Sequence, residues 1–325
     1  MIEKYSYTKL STYDSCPFKF YLKYRKKIQI YSDSCASLYG SLVHNILEKE
    51  ALYIKNKMQI DYDKLRNYFL SGDNNSSQKK NSGKIYSVSD IKKMFPNEWF
   101  DTDTKSGKSY DEKAMEFAES GIYDFPNYMN EHPELEIIGS EVQFSFKYKN
   151  YMFSGFIDLL MRNVEDGKYI IWDIKTKDHE FASTELTTPL QFVIYCMAIR
   201  ERYGEDVDIS CEYSLPVLGI RQDAGTKGFE KRGIKKIDKL LSQIEEEDFE
   251  ANPTPLCYWC EFSNTNPCVT DNGKNICPYY SLWTKDNKTF EKNLPWTGLH
   301  NYDKQVSKMI TLKNIESGDF FDLEI

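Results

Sequence analysis

Asp173, Ile174 and Lys175 close an apolar run, YIIWDIKT (169–176), and that setting makes the triplet informative. Asp-x-Lys also occurs at Asp90, Asp103, Asp111, Asp166 and Asp286, none of them in an apolar strand pattern. Side chains two apart on a strand share a face, so Asp173 and Lys175 point together while Trp172 and Ile174 enter the opposite layer. The preceding run YMFSGFIDLLMR (151–162) brings Asp158 alongside through a tight connection. Two carboxylates and an ammonium thus converge at the centre of a sheet, where charges removed from water need partners. A structural ion pair between Lys175 and one aspartate is the plain account. The chemical account is a divalent-cation site, because Asp158, Asp173 and the Ile174 carbonyl are hard oxygen donors suited to Mg²⁺ or Mn²⁺. Such a cation lowers the pKa of a bound water and neutralises charge building on a phosphate oxygen. Lys175 beside it could position or deprotonate that water and stabilise the pentacovalent phosphorus.

Three further sets of residues have chemical potential. His44 follows Gly40 on an apolar helical pattern; it is either a packed histidine or an additional ligand favouring Mn²⁺, since imidazole is softer than carboxylate. Gln191 and Tyr195 are spaced i, i+4 and share one helix face, as a buried hydrogen-bonded pair or as contacts for a nucleic-acid strand. Of eight cysteines, Cys257, Cys260, Cys268 and Cys277 fall within 21 residues, a clustering that favours a metal over disulfides without an export signal. By spacing alone these four could close a four-thiolate Zn²⁺ site. Cys35, Cys196 and Cys211 read as ordinary core thiols.

The elements that must position these residues follow from patterning. Residues 5–24 read as a capped helix, a break at Pro17 and a second aromatic turn, and 37–54 as an amphipathic helix. Residues 137–149 and 151–162 alternate as two strands joined through Lys149-Asn150. Residues 169–176 form a third strand, apolar on both faces and therefore covered on both sides. A helix over 189–202, a strand over 210–218 and a strongly amphipathic helix over 232–248 complete an α/β (α+β) fold with a central mixed sheet flanked by helices. The expected organisation is an N-terminal helical part (1–54), a helical insertion (55–135), a core (136–250), a cysteine lobe (251–282) and a tail (283–325).

The chain has 325 residues, a formal charge of −8 and 15% aromatic residues. The acidic total argues against a generally basic nucleic-acid coat, but residues 1–30 carry seven Lys/Arg against two acids and residues 225–240 six against two. Such runs are either solvated faces or the flanks of a local groove. No stretch approaches the ~18 apolar residues of a membrane span, and the N-terminus lacks the apolar core of a signal peptide. The expectation is a cytoplasmic protein with no membrane partner.

Together these residues carry a family resemblance. Ser6-x-Thr8-x-Leu10-x-x-Tyr13-x-x-Cys16-Pro17-x-x-Phe20-Tyr21 resembles the opening signature of RecB-like nucleases in the PD-(D/E)XK superfamily. Gly40-Ser-Leu-Val-His44, Gly155-Phe-Ile-Asp158, Asp173-Ile-Lys175 and Gln191-Phe-Val-Ile-Tyr195 resemble their four motifs, in family order. The resemblance implies a restriction-endonuclease-like core that cleaves DNA phosphodiesters with Mg²⁺ or Mn²⁺. His44, Asp158, Asp173 and the Ile174 carbonyl would hold the cation, Asp158, Asp173 and Lys175 would be catalytic, and Gln191 and Tyr195 would contact DNA. It also implies the iron–sulfur type, in which Cys16, Cys257, Cys260 and Cys277 hold a [4Fe–4S] cluster, with Cys268 the alternative ligand and Zn²⁺ the alternative metal. That cluster would staple the two chain ends together. The stretch of 113 residues between His44 and Asp158 departs from a compact member and bears on substrate polarity.

The implied activity is an exonuclease acting on single-stranded DNA or DNA ends in recombination, repair or replication, in a bacterium or phage. Any helicase or recombination partner must act in trans, because no phosphate-binding P-loop is present. Alternatives are a CRISPR-associated nuclease trimming DNA before integration and a non-catalytic DNA-binding module. A redox protein using the cysteines leaves the carboxylates and basic runs unexplained.

Overall fold

The computed structural model describes residues 3–28, 33–72, 79–80, 83–102, 107–252, 254, 257, 260–262, 270–271, 274–275, 277, 283–284 and 289–290. The chain divides into two units, residues 1–7 with 32–236 and residues 8–31 with 237–325. Cys268 and most of the 283–325 tail lie outside the described residues.

The first unit is built on a mixed sheet. Its strands are β1 (Lys4–Tyr5), β2 (Leu135–Tyr148), β3 (Tyr151–Asn163), β4 (Tyr169–Ile174), β5 (Ile209–Leu215) and β6 (Ile220–Asp223). β2 and β3 form a long antiparallel hairpin turning at Lys149-Asn150, with Lys149 at φ 54°. The other side of β3 is shared: its outer end pairs with β1 in parallel, and its inner end pairs with β4 antiparallel. β4 then pairs with β5 in parallel and β5 with β6 antiparallel. All six residues of β4 are buried, as its unbroken apolar run requires.

Helices cover both faces. On one face lies α3 (Cys35–Lys55), started by the Ser34 hydroxyl, which accepts from the Ser37 N–H. Leu38, Leu42, Val43 and Ile46 make its buried stripe. The 55–135 stretch folds as α4 (Tyr62–Ser71), α5 (Val88–Met94), α6 (Pro96–Phe100), α7 (Tyr110–Glu116) and α8 (Ile122–Glu131), a π turn linking the last two. α5 and α7 start with reciprocal capping boxes, Ser87/Asp90 and Ser109/Glu112. Phe69, Trp99, Phe117 and Phe125 from these helices join α3 and Trp172 of β4 in one apolar core. Arg221 of β6 packs over Tyr128 and Trp172 and pairs with Asp124 of α8 at 2.8 Å. The opposite face is covered by α10 (Leu190–Tyr203), whose Phe192, Tyr195, Cys196 and Ile199 pack on Ile157, Leu160 and Ile171. Between β4 and α10 lies the short α9 (Ser183–Leu186).

The second unit contains most of α1 (Tyr7–Ser15), α2 (Pro17–Phe20) with a following π turn (Tyr21–Arg25), and most of α11 (Phe229–Glu245). Pro17 occupies the first turn of α2, where its missing N–H costs no hydrogen bond. Tyr13, Phe20, Tyr21 and Phe249 form an aromatic cluster, and the Tyr13 hydroxyl donates to the Asp248 carbonyl at 2.6 Å.

Candidate active site

The site lies where β3 and β4 part. Their ladder runs from Arg162↔Tyr169 to Leu159↔Trp172, so Asp158 and Asp173 would be the next opposed pair, but the pairing stops there. Instead the Ile174 N–H donates to Asp158 Oδ2 at 2.8 Å, a side chain replacing a backbone acceptor. The Lys175 N–H continues toward β5, donating to the Ser214 carbonyl at 2.9 Å. The two aspartates are therefore set by the point at which the sheet splays.

On the α3 face, His44 Nε2 lies 2.9 Å from the Ile174 carbonyl. A carbonyl only accepts, so Nε2 carries the proton and Nδ1 offers its lone pair, 3.7 Å from Asp158 Oδ2. Burial, aided by the Lys175 charge, holds the His44 pKa below its usual value, so the ring is neutral and fit for coordination. Glu141 completes a trio: ligand atoms of His44, Glu141 and Asp158 all lie within 4.8 Å of one another. Glu141 falls opposite Asp158 in the β2–β3 register, in a stretch carrying a bulge at Ile138 and a φ of 48° at Glu141 itself. The trio lines a cleft with Glu48, Ser140 and Ser214.

On the α10 face, Asp173 is fully buried, and Lys175 Nζ lies 2.5 Å from its Oδ2. Beyond that ion pair, neither Asp173 oxygen accepts a hydrogen bond from any of the described residues. Burial pushes Asp173 up to about 6, opposed by the ammonium. The same burial works against the Lys175 charge, but Asp173, with Asp158 behind it, outweighs it and holds the lysine pKa up. Gln191 Oε1 accepts from Lys175 Nζ at 3.4 Å, and Gln191 Nε2 donates to the Tyr195 hydroxyl at 2.8 Å. Burial pushes the Tyr195 phenol far up, so it stays a neutral hydroxyl.

All the residues singled out from the four motifs thus meet at one splay point, in two groups bridged by Asp158. Glu141 was not among them. Its only signal was a carboxylate in the strand pattern IIGSEVQFSF, which alternation alone assigns to the wet face.

The cysteines divide differently. Cys196 and Cys211 lie buried with sulfurs 3.5 Å apart, and Cys35 is buried in the α3 core. In the second unit, Cys16, Cys257, Cys260 and Cys277 are half-buried. Burial is the main cause that raises the Cys257 and Cys260 pKa values, and Cys16 adds to both, so these three sulfurs are within electrostatic reach. The Cys257 sulfur also accepts from the Thr254 N–H at 3.3 Å. Several cations of the two basic runs have local partners. Lys19 and Lys23 pair with Glu261, Arg25 packs over Phe20 and Phe249, and Arg232 bonds Thr187 and Thr188.

The mixed sheet thus opens at two aspartates, with a lysine two residues past the second and a histidine across from the first. Comparison with family models matches residues 4–265 to the PD-(D/E)XK nuclease superfamily, and the chain belongs to that superfamily. A search of curated proteins finds none that matches. Among solved structures, the chain is similar to one from Eubacterium rectale described as a "putative exonuclease". The two share 13% identity and a TM-score of 0.40, over 83% of this chain and 90% of that one. Among the described residues, no helix is long and apolar enough to cross a membrane.

Proposed function

We propose that this protein is a metal-dependent deoxyribonuclease of the RecB-like, iron–sulfur type. In this reading it is a cytoplasmic exonuclease acting on single-stranded DNA or DNA ends in recombination, repair or replication. The observation that carries the proposal is the facing of the His44–Glu141–Asp158 trio and the Asp173–Lys175 pair across one splay point. The donor set fits a hard divalent cation: three ligand atoms converge, and a buried carboxylate stands beside them with unused acceptor capacity.

His44 Nδ1, Glu141, Asp158 and Asp173 would hold the cation, with the Ile174 carbonyl at hand. When bound, Mg²⁺ or Mn²⁺ supplies Lewis acidity toward a phosphate oxygen and makes water more acidic. Lys175, kept as an ammonium by Asp173, donates to the attacking water or to the phosphate oxygens and offsets the charge that builds there. Water oxygen attacks phosphorus, one ester P–O bond breaks, and the departing sugar oxygen ends with the proton that the water gives up. Gln191 orients Lys175 and the buried Tyr195 orients Gln191, so helix α10 fixes the ammonium, and Gln191 is the member of the pair left to contact DNA. Cys16, Cys257, Cys260 and Cys277 would hold a [4Fe–4S] cluster that ties the N-terminal segment to the C-terminal lobe of the second unit. Unwinding, where it is needed, comes from a helicase partner in trans.

The test incubates the purified protein with end-labelled single- and double-stranded DNA, with and without Mn²⁺. Metal-dependent shortening from an end is the expected result. Intact substrate under every metal condition would refute the assignment.

A further inference from the structure

Phe156 is 49% exposed on β3, two residues before Asp158. A single exposed ring needs no explanation by itself; its place in the hairpin does. Every second residue of this part of β3 faces inward, away from Phe156: Ile157 is buried in the α10-side core, and the buried Phe153 stacks on Phe146 across the ladder. The hairpin is anchored through that face, and Phe156 is on the other. Strand alternation carries Phe156 to the same side as Asp158, about 6.6 Å further along the chain.

The surface around the ring suits a polyanion. Register pairs Gln143 with Phe156, Ser145 with Ser154, and Lys147 with Met152. Gln143, Ser145 and Lys147 are exposed, and this strip leading out from the cleft carries one cation and no carboxylate on a chain whose formal charge is −8. The strand beneath the ring is backed from the other face: Gly155 lies against Phe144, where a Cβ would come within 2.8 Å of that ring.

We propose that Phe156 is a stacking platform for a nucleobase of single-stranded DNA, one position away from the phosphate held at Asp158. The proposal rests on the nuclease reading above and deepens it, since a ring face is available to an unpaired base and closed to a paired one. Phe156 is thereby a determinant of the preference for single strands.

The experiment measures binding and steady-state cleavage of an end-labelled single-stranded oligonucleotide, and of the same strand with one abasic residue placed in turn beside each cleavable phosphate. Phe156→Ala should raise KM about 5- to 100-fold, the loss falling on KM rather than kcat, and Phe156→Trp should restore it. One abasic position should weaken wild-type binding by a similar factor and cost Phe156→Ala nothing more. Wild-type protein that cuts the strand, matched by Phe156→Ala in KM and at every abasic position, would overturn the role of Phe156 and leave the nuclease reading standing. Wild-type protein that neither binds nor cuts would overturn both. Thermal melting of the two variants separates a lost platform from a lost fold, and loss of KM by Phe156→Trp equal to that of Phe156→Ala would also count against stacking.

Discussion

His44 donates from Nε2 to the Ile174 carbonyl, 2.9 Å away, so the strand that carries Asp173 also orients the imidazole on the far face of the sheet. A ligating histidine held through its second nitrogen is a tuned ligand. His44→Ala should weaken Mn²⁺ binding about 10- to 100-fold, as read by titration calorimetry. An unchanged Mn²⁺ affinity in folded variant protein would remove His44 from the site.

The buried Asp173–Lys175 pair separates charge binding from shape. Asp173→Asn keeps the volume and removes the charge, and Lys175→Ala removes the ammonium that opposes it. Each should lower single-turnover cleavage of labelled DNA by about 10²-fold or more while circular dichroism stays native. Turnover of either folded variant at the wild-type rate would show that the pair is structural.

Away from the site, Glu50 of α3 is fully buried, and both its oxygens lack hydrogen-bond partners among the described residues. Burial, with Asp124 nearby, holds its pKa well above the ordinary 4.5. The folded chain therefore keeps a proton that the unfolded chain releases, and stability declines as pH rises through the unfolded value toward the folded one. Glu50→Gln removes that decline. Its melting temperature should exceed that of the wild type by about 2 °C or more at pH 8, with the gap closing near pH 4. A gap independent of pH would mean that Glu50 is ionised in the folded chain.

Anaerobically purified protein should be brown and contain about four irons per chain, and Cys16→Ala should lose iron and thermal stability together. Metal analysis that finds one zinc, retained in Cys16→Ala, would instead assign the ligands to Cys257, Cys260, Cys268 and Cys277.

The chemistry-bearing residues were readable because their surroundings are regular. The apolar run before Asp173 forced a buried strand, the hairpin turned where Lys149-Asn150 indicated, and Gln191 and Tyr195 stayed one helical turn apart. Glu141 was not readable, since its orientation depends on a bulge and a positive φ that leave no trace in a period-two pattern. β1 has two residues and β6 four, too short to show alternation, and they exist because β3 and β5 offer them open edges. The interrupted helices of 55–135 read as an insertion by composition. Their large side chains share a core with α3 and Trp172, a tertiary fact that no local window contains.

The splay point also sorts the site's residues by how far along the chain each must be brought. Glu141 and Asp158 are brought together by a single hairpin, 17 positions apart in sequence, whereas His44 and the Asp173 strand must arrive from outside it. Local closure is fast and distant closure slow. Two like charges therefore share one locally closed element, backed by Phe146 on Phe153 and by Phe144 over Gly155, while their neutral and cationic neighbours come from distant parts of the chain. The hairpin alone carries two of the three converging ligand atoms, and the remaining one is supplied from α3, far away in sequence.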